Sequence, residues 1–411
     1  MSGGIVQLVA IGAQDTWLSG KPEISFFRSN YKRYTHYAAA PERQTIQGVP
    51  LPGSISTIRV EKKGDLLSYM YLTARDKNGA QMVNIDWMSI IDRVELMIGG
   101  QVIDLHDANY DLDIEPCTGA QSQSQRYLNN TTTNTSDTPS NKKASFYPFK
   151  FFFCKDWSVS LPLVALQYHD VEIRITWAST LTSSTITVNS VATPFSALSY
   201  QCWCNFIYLD QAEREYFAQS THDLLITQVQ RVPIGQNAVQ ELALAQPVKF
   251  LAFQCVAYGA VYNPGTYGAY PATAYAPNYQ LKVQINGVDV GESRPLPCWT
   301  DINQYYHTPW GYLGSSKETQ VLIIPYCLDT SKLHPTGTLN FSRLDTYRLV
   351  VPGALSSGAG ATLVTGLQTL AFKQVAAQSG LPGYVGAPYI YAVNYNVLRI
   401  QKGMGSVLYA N

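Results

Sequence analysis

"FCKDWS" at residues 153–158 and "YCLDTS" at residues 326–331 are two versions of one phrase, and their relationship decides how the whole chain is read. The similarity runs on without a gap, with Pro162 against Pro335, Leu166 against Leu339, Gln167 against Asn340, Tyr168 against Phe341 and Val171 against Leu344, all at an offset of 173. A second pair lies upstream. "VELMIGGQVID" at 94–104 and "LKVQINGVDV" at 281–290 each set a Gly-Gly or Asn-Gly turn between alternating strands, the mark of a tight hairpin, at an offset of 187. The difference of 14 is close to the length of the polar tract "NNTTTNTSDTPSNKK", 129–143, which reads as an insertion in the first copy. A third, fainter pair, "NFIYLD" at 205–210 and "NVLRIQ" at 396–401, closes each copy.

The chain thus reads as one β module repeated. Each half carries many short strands, Gly/Pro-rich turns and long loops, without the strand-helix alternation of an α/β fold, and this predicts a sandwich or jelly roll. Between the copies lies "LDQAEREYFAQSTHDLL", 209–225, which reads as an amphipathic helix. Asp210 stands at its N-cap, Glu213 follows in capping-box spacing, and Arg214 is placed as a charge partner for Asp210. The spacing predicts a connecting helix over 211–224.

Composition limits the function. With 411 residues and 46% apolar content, the chain can build more than one core. Lys plus Arg and Asp plus Glu balance at 29 each, so there is no electrostatic grip on nucleic acid. "MSGGIVQLVAIG" has no basic n-region, and no segment is long and apolar enough to span a bilayer, which points to a protein made in the cytoplasm. Seven scattered cysteines suit reduced, buried thiols. The 28 tyrosines, large and polar-tipped, suit repeated protein contacts, although Tyr also simply favours strands.

Longer blocks carry a resemblance. The opening run Gly3-Gly4, Gln7-Leu8-Val9-Ala10, Gly12-Ala13-Gln14-Asp15, Gly20, Pro22, Ile24, Phe26-Phe27, Tyr31, Arg33 and Thr35 resembles that of the major capsid proteins of nucleocytoplasmic large DNA viruses. "LPLVALQYHDVEI" at 161–173, "FIYLDQAEREYFAQSTHDLLITQVQ" at 206–230, "HPTGTLNFSRLD" at 334–345 and "NYNVLRIQKGMGSVLYAN" at 394–411 are similar to that family's blocks, in its order. The resemblance implies an all-β double jelly roll of two eight-stranded-type barrels. It implies a homotrimer forming a pseudo-hexagonal capsomer, and a lattice of capsomers tiling an icosahedral shell over an inner membrane. The domains expected are an N-terminal arm at 1–24, a first jelly roll at 25–210, the connecting helix at 211–224, a second jelly roll at 225–402 and a tail at 403–411. The partners expected are the chain itself, minor capsid proteins and the inner membrane surface, with no direct binding of nucleic acid. The protein would reside in the virion shell after synthesis and assembly in host cytoplasm.

Several stretches have two readings. In the arm, Ile5, Leu8 and Val9 recur at helical spacing and Arg28, Lys32 and Arg33 follow among aromatic rings. Such a segment either faces the capsid interior, meeting minor proteins or lipid, or packs against its own barrel. Asn129, Asn130 and Asn134 match the Asn-x-Ser/Thr glycosylation pattern; the alternative is an undecorated polar loop. Asn340 matches it too, but inside an expected strand. The Tyr-rich, Gly/Pro-rich stretch 257–280 is either a loop packed on a neighbouring subunit or one folded on its own barrel.

Enzyme readings find little support. A cupin-type metal site needs closely spaced histidines, whereas His36, His106, His169, His222, His307 and His334 are scattered. Cys202 and Cys204 share a strand face without a second pair, and read as core thiols. Asp107, Asp111, Asp113 and Glu115 lack the Ca²⁺-loop spacing and read as a solvated acidic loop. Gly-rich 356–366 lacks the Lys-Ser/Thr of a phosphate loop. No catalytic residue, metal or cofactor is expected, and a structural shell protein is the leading reading. A carbohydrate-binding jelly-roll module, or a cupin-type oxygenase, would instead show glycan affinity or bound metal.

Overall fold

The computed structural model describes Gly4 and residues 12–79, 81–87, 90–120, 143–179, 185–188, 191–234, 237–256, 280–295, 298–309, 319–351, 354–355, 363–364 and 389–409. The first half contributes β1 (Tyr37–Gln44), β2 (Ile55–Arg59), β3 (Leu66–Arg75), β4 (Ile91–Ile98), β5 (Gln101–Asp107), β6 (Phe146–Pro148), β7 (Val171–Trp177) and β8 (Ser199–Leu209). They form two sheets, β1-β8-β3 with β6 along the far side of β3, and β2-β7-β4-β5. The second half contributes β9 (His222–Pro233), β10 (Val239–Glu241), β11 (Pro247–Val256), β12 (Gln280–Ile285), β13 (Val288–Asp289), β14 (Thr319–Pro325), β15 (Tyr347–Val350) and β16 (Tyr389–Gln401). These form β9-β16-β11 with β14, and β10-β15-β12-β13. These eight main strands of each half match one for one, shorter strands lie outside this common set, and every pairing is antiparallel. This is a double jelly roll.

Local chemistry explains the shared turns. Gly99 and Gly100 have φ of 58° and 84° between β4 and β5, and Asn286 and Gly287 have φ of 50° and 78° between β12 and β13. Both are left-handed pairs, which Gly and Asn adopt at little cost, and they match the twist of the flanking strands. The repeated phrase also folds alike. Asp156 Oδ1 accepts hydrogen bonds from the Ser158 amide at 2.8 Å and hydroxyl at 2.7 Å, and Asp329 Oδ1 accepts from the Ser331 amide and hydroxyl, both at 2.8 Å.

The gap-free continuation does not hold, however. Leu161–Pro162 pairs with the start of β3 and Leu339–Asn340 with the start of β11, so the equivalent residues there lie 178 apart, with five extra residues in the second copy. Pro162 and Pro335 are not counterparts. The added length includes Gly337 at φ 136°, where a Cβ would meet the Tyr326 carbonyl at 2.7 Å, so this detour needs glycine.

The connecting helix is shorter than its pattern. It spans Gln211–Gln219, buries no residue completely and takes no side-chain cap from Asp210. From His222 the chain pairs with β16 over twelve residues, and this long ladder outcompetes local helix propensity for 222–224. Arg214 reaches Asp65, not Asp210, with Nε–Oδ1 at 2.8 Å. The C-terminal segment expected as a tail instead turns at Lys402-Gly403 into β17 (Met404–Val407), which pairs back onto β16. At the other end, Met1–His36 forms one unit and Tyr37–Asn411 another, so residues 25–36 group with the arm and precede the first strand.

Alternation places the cores. Along β7, residues from Val171 to Trp177 alternate buried and half-buried, so one face points inward. Trp87, Phe149, Phe151 and Trp177 fill the first core; Phe253, Leu281, Leu322 and Tyr347 belong to the second.

Candidate functional site

The two barrels join through buried apolar side chains and a buried charge network. Ile226, Leu398 and Ile400 of the second half belong to the first half's core cluster. A π-turn at Tyr110–Ile114 and a short helix at Glu115–Thr118 follow β5. Their side chains Tyr110, Ile114 and Cys117 cover the outer face of the β9-β16-β11-β14 sheet, against Phe250, Ala252, Val321, Ile323 and Tyr391. The β17 hairpin ties the barrels again, since Gly403 O accepts from the Tyr168 amide at 2.9 Å and Gly405 O lies 3.0 Å from His169 Nδ1.

Charged groups lie beneath this contact. His106 is 1% exposed, with Asp104 Oδ2 2.8 Å from Nε2 and Asp111 Oδ1 2.9 Å from Nδ1. Burial alone would drive the imidazolium to lose its proton, but the two carboxylates outweigh it and hold the pKa up at about 10. Asp104 Oδ1 also accepts from the Val229 amide of β9 at 3.0 Å, and the Tyr147 hydroxyl donates to Asp111 Oδ2 at 2.6 Å. Arg231 of β9 pairs with Asp107, which also accepts from the Tyr391 hydroxyl at 3.1 Å. Burial pushes the Asp107 carboxyl up, against the pull of Arg231 and Tyr391. Burial acts on Glu115 in the same sense, yet Lys150, 2.9 Å away, holds its carboxyl below the usual range. The network can lock two barrels in one orientation: Arg231 pairs with Asp107 and Lys150 with Glu115, while Asp104 and Asp111 share the single cation His106.

This corrects the reading of a solvated acidic loop. Asp107, Asp111 and Glu115 are buried at the junction; for Asp113 only the backbone lies within the described residues. Among the described residues no group of three or more His, Cys, Asp or Glu is disposed to hold a metal. Cys202 and Cys204 are buried thiols of the first core. Arg28, Lys32 and Arg33 are exposed in the arm, whereas Ile5, Leu8 and Val9 lie outside the described residues, as do Asn129, Asn130 and Asn134 and nearly all of 257–280. Asn340 is exposed, and its Oδ1 accepts from the Ser342 amide at 3.1 Å. Sequence reading missed His106, Lys150, Arg231 and Tyr391. The available signal was a single lysine inside the aromatic run "FKFFF", 149–153, since a lysine so placed needs a buried acid.

Comparisons with known proteins cover the same ground. The family model described as major capsid protein N-terminus matches residues 25–210, and that described as large eukaryotic DNA virus major capsid protein matches residues 213–406. The major capsid protein of Pyramimonas orientalis virus is 30% identical over 440 residues, covering all of both chains. That of Paramecium bursaria Chlorella virus 1 is 29% identical over 451 residues, again covering all of both. In the quasi-atomic capsid of the latter virus, the matching chain is 25% identical, with a TM-score of 0.67 over 94% of this chain and 100% of that one. The Faustovirus major capsid protein shares the fold, with a TM-score of 0.57 at 12% identity over 95% of this chain and 94% of that one.

Proposed function

The chain belongs to the major capsid proteins of large eukaryotic DNA viruses, and from that premise we propose that it acts as a homotrimer, three copies closing into a pseudo-hexagonal capsomer of an icosahedral shell. The observation that carries this reading is the strand-for-strand match of the two barrels. Two similar barrels per chain let three copies present six similar sides, so one kind of lateral contact tiles a near-hexagonal lattice. The junction network supports it, because a capsomer edge needs both barrels held in fixed relation, and buried ion pairs contributed by both barrels restrict their orientation.

The arm is the second part of the proposal. Trp17, Phe26 and Phe27 are 90% or more exposed, and Arg28, Lys32 and Arg33 follow them. Exposed rings beside cations suit the capsid interior, against minor capsid proteins or the inner membrane surface. Nucleic acid is not a partner in this reading, no catalytic step is assigned, and synthesis and assembly take place in host cytoplasm.

Light scattering of the purified protein, together with images of the particle, tests the proposal. A mass of three chains is expected, and a stable monomer would overturn it. Deleting residues 2–20 should leave trimers intact while shells fail to assemble or lose their inner layer; loss of folding or of trimers would remove the interior role of the arm.

A further inference from the structure

The junction inside one chain is a template for the junction between chains. Pro148, Tyr71, Trp203 and Arg43 form one row across the outer face of the first barrel's sheet, each paired to the next. Ile323, Ala252, Tyr391 and Arg231 form the same row in the second barrel. The second row lies under the Tyr110–Thr118 turn, with Ile323, Ala252 and Tyr391 at most 1% exposed and Arg231 paired to Asp107. In the first row Pro148, Tyr71 and Trp203 are only half-buried, and Arg43 is exposed with no ion pair among the described residues. Beside them Tyr69, the counterpart of buried Phe250, is 37% exposed, and Trp157 is 63% exposed. An open cavity of about 150 Å³ lies between Tyr69, Cys154 and Trp157. In the second barrel Cys117 shares one buried cluster with Phe250 and Cys327, the counterparts of Tyr69 and Cys154.

The missing cover has a counterpart too. After β13 a π-turn at Cys298–Ile302 runs into a short helix at Asn303–His307, repeating the architecture of Tyr110–Thr118. Position by position, Ile302 matches Ile114, Tyr305 matches Cys117 and Tyr306 matches Thr118. The first set is 50%, 77% and 72% exposed; the second is 0%, 8% and 3%. A socket without its plug and a plug without its socket thus lie on opposite barrels of the same chain.

We propose that the Ile302–Tyr306 turn of one copy docks on the Tyr69–Tyr71–Trp203 face of the next, with Tyr305 entering the cavity beside Cys154. This deepens the capsomer reading and rests on it. The occupant is a second copy because the surface complementary to the socket, by internal equivalence, is carried by this chain. Asp301, exposed on the turn itself, brings charge complementary to Arg43. The contact is heterologous, so it either closes a ring or grows a filament. In the capsomer reading the ring closes after three copies.

Thr330, the counterpart of Trp157, donates from Oγ1 to the Thr118 carbonyl at 2.8 Å, so Trp157 and Tyr306 should meet across the interface. The full-length double variant Trp157→Cys/Tyr306→Cys, mildly oxidised and run on a denaturing, non-reducing gel, should give covalent species of two and three chains and none larger. Each single variant should give far less. A bond within one chain, or no bond, in protein that light scattering shows to be trimeric would overturn this interface while leaving the capsomer reading standing. A ladder beyond three would overturn closure, and a monomeric wild type would overturn the underlying reading. Tyr305→Asp, on an exposed turn, should keep the wild-type circular dichroism and weaken self-association at least tenfold; unchanged self-association would equally overturn the interface.

Discussion

The turns at Tyr110–Thr118 and Cys298–His307 share a backbone plan and differ in burial and in most of their side chains. The first region is buried among charge: Asp111 and Glu115 lie on it, with His106 and Lys150 as their cations. The second leaves Ile302, Tyr305 and Tyr306 in solvent, with Arg294 over the Trp299 ring and the Gln304 side chain donating to the Val321 carbonyl. Burying paired charges is costly unless the geometry is fixed in advance, and a covalently joined partner supplies that geometry every time the chain folds. A surface that must first stay soluble and then desolvate does better with tyrosines, which offer area with a polar tip and few rotatable bonds. The difference therefore separates a permanent joint from one made late.

Breaking the permanent joint should have the largest effect. Lys150→Ala leaves Glu115 buried without its partner, and a loss of about 3–5 kcal/mol is expected in urea unfolding. Arg294→Ala, at the other turn, should cost no more than about 1 kcal/mol. The sheet faces sharpen the same contrast. Phe250→Ala should destabilise by about 3–5 kcal/mol because Phe250 is buried in the intrachain contact. Tyr69→Ala, which loses ring contacts with Tyr71 and Trp157 but empties no closed core, should cost the dissociated chain only about 1 kcal/mol, while weakening self-association.

At the junction, a pH response should come from His106, on β5 just before the first turn. The folded His106 pKa of about 10 lies above its unfolded value of 6.5, so its contribution is fully present below pH 6.5 and is lost as pH rises through about 10. Thermal melting across that window should fall more steeply in the wild type than in His106→Gln; parallel curves would remove His106 as the cause. A modest effect is expected at a shared element, the hairpin turn. Asn286 sits at φ 50° and its Oδ1 accepts from the Asp345 and Thr346 amides at 3.0 and 3.1 Å. Asn286→Ala should cost about 1–2 kcal/mol, and Gly100→Ala, at φ 84° with open space around its Cβ position, a similar or smaller amount.

The fold was legible where its causes are local. Gly-Gly and Asn-Gly force left-handed turns whatever surrounds them, and the Asp-x-Ser phrase closes on itself through its own side chain, so both copies announced themselves. The junction was not legible. Arg231 and Asp107 lie 124 residues apart, Tyr391 and Asp107 lie 284 apart, and no periodicity encodes such pairs. "DANYDLDIE" read as a solvated acidic loop because its neutralising cations come from other elements of both barrels.

By itself, the sequence determined that the chain is a duplicated, all-β protein with hairpins at defined places and a helical start after Asp210, because turn preferences and alternation act over a few residues. Only the tertiary structure decided where the helix stops, that residues 404–407 form a strand, that five residues interrupt the second copy's register, and which acids meet which cations. Those outcomes depend on ladders and ion pairs between segments far apart in the chain, whose free energy exists only once the barrels have closed and excluded water from between them.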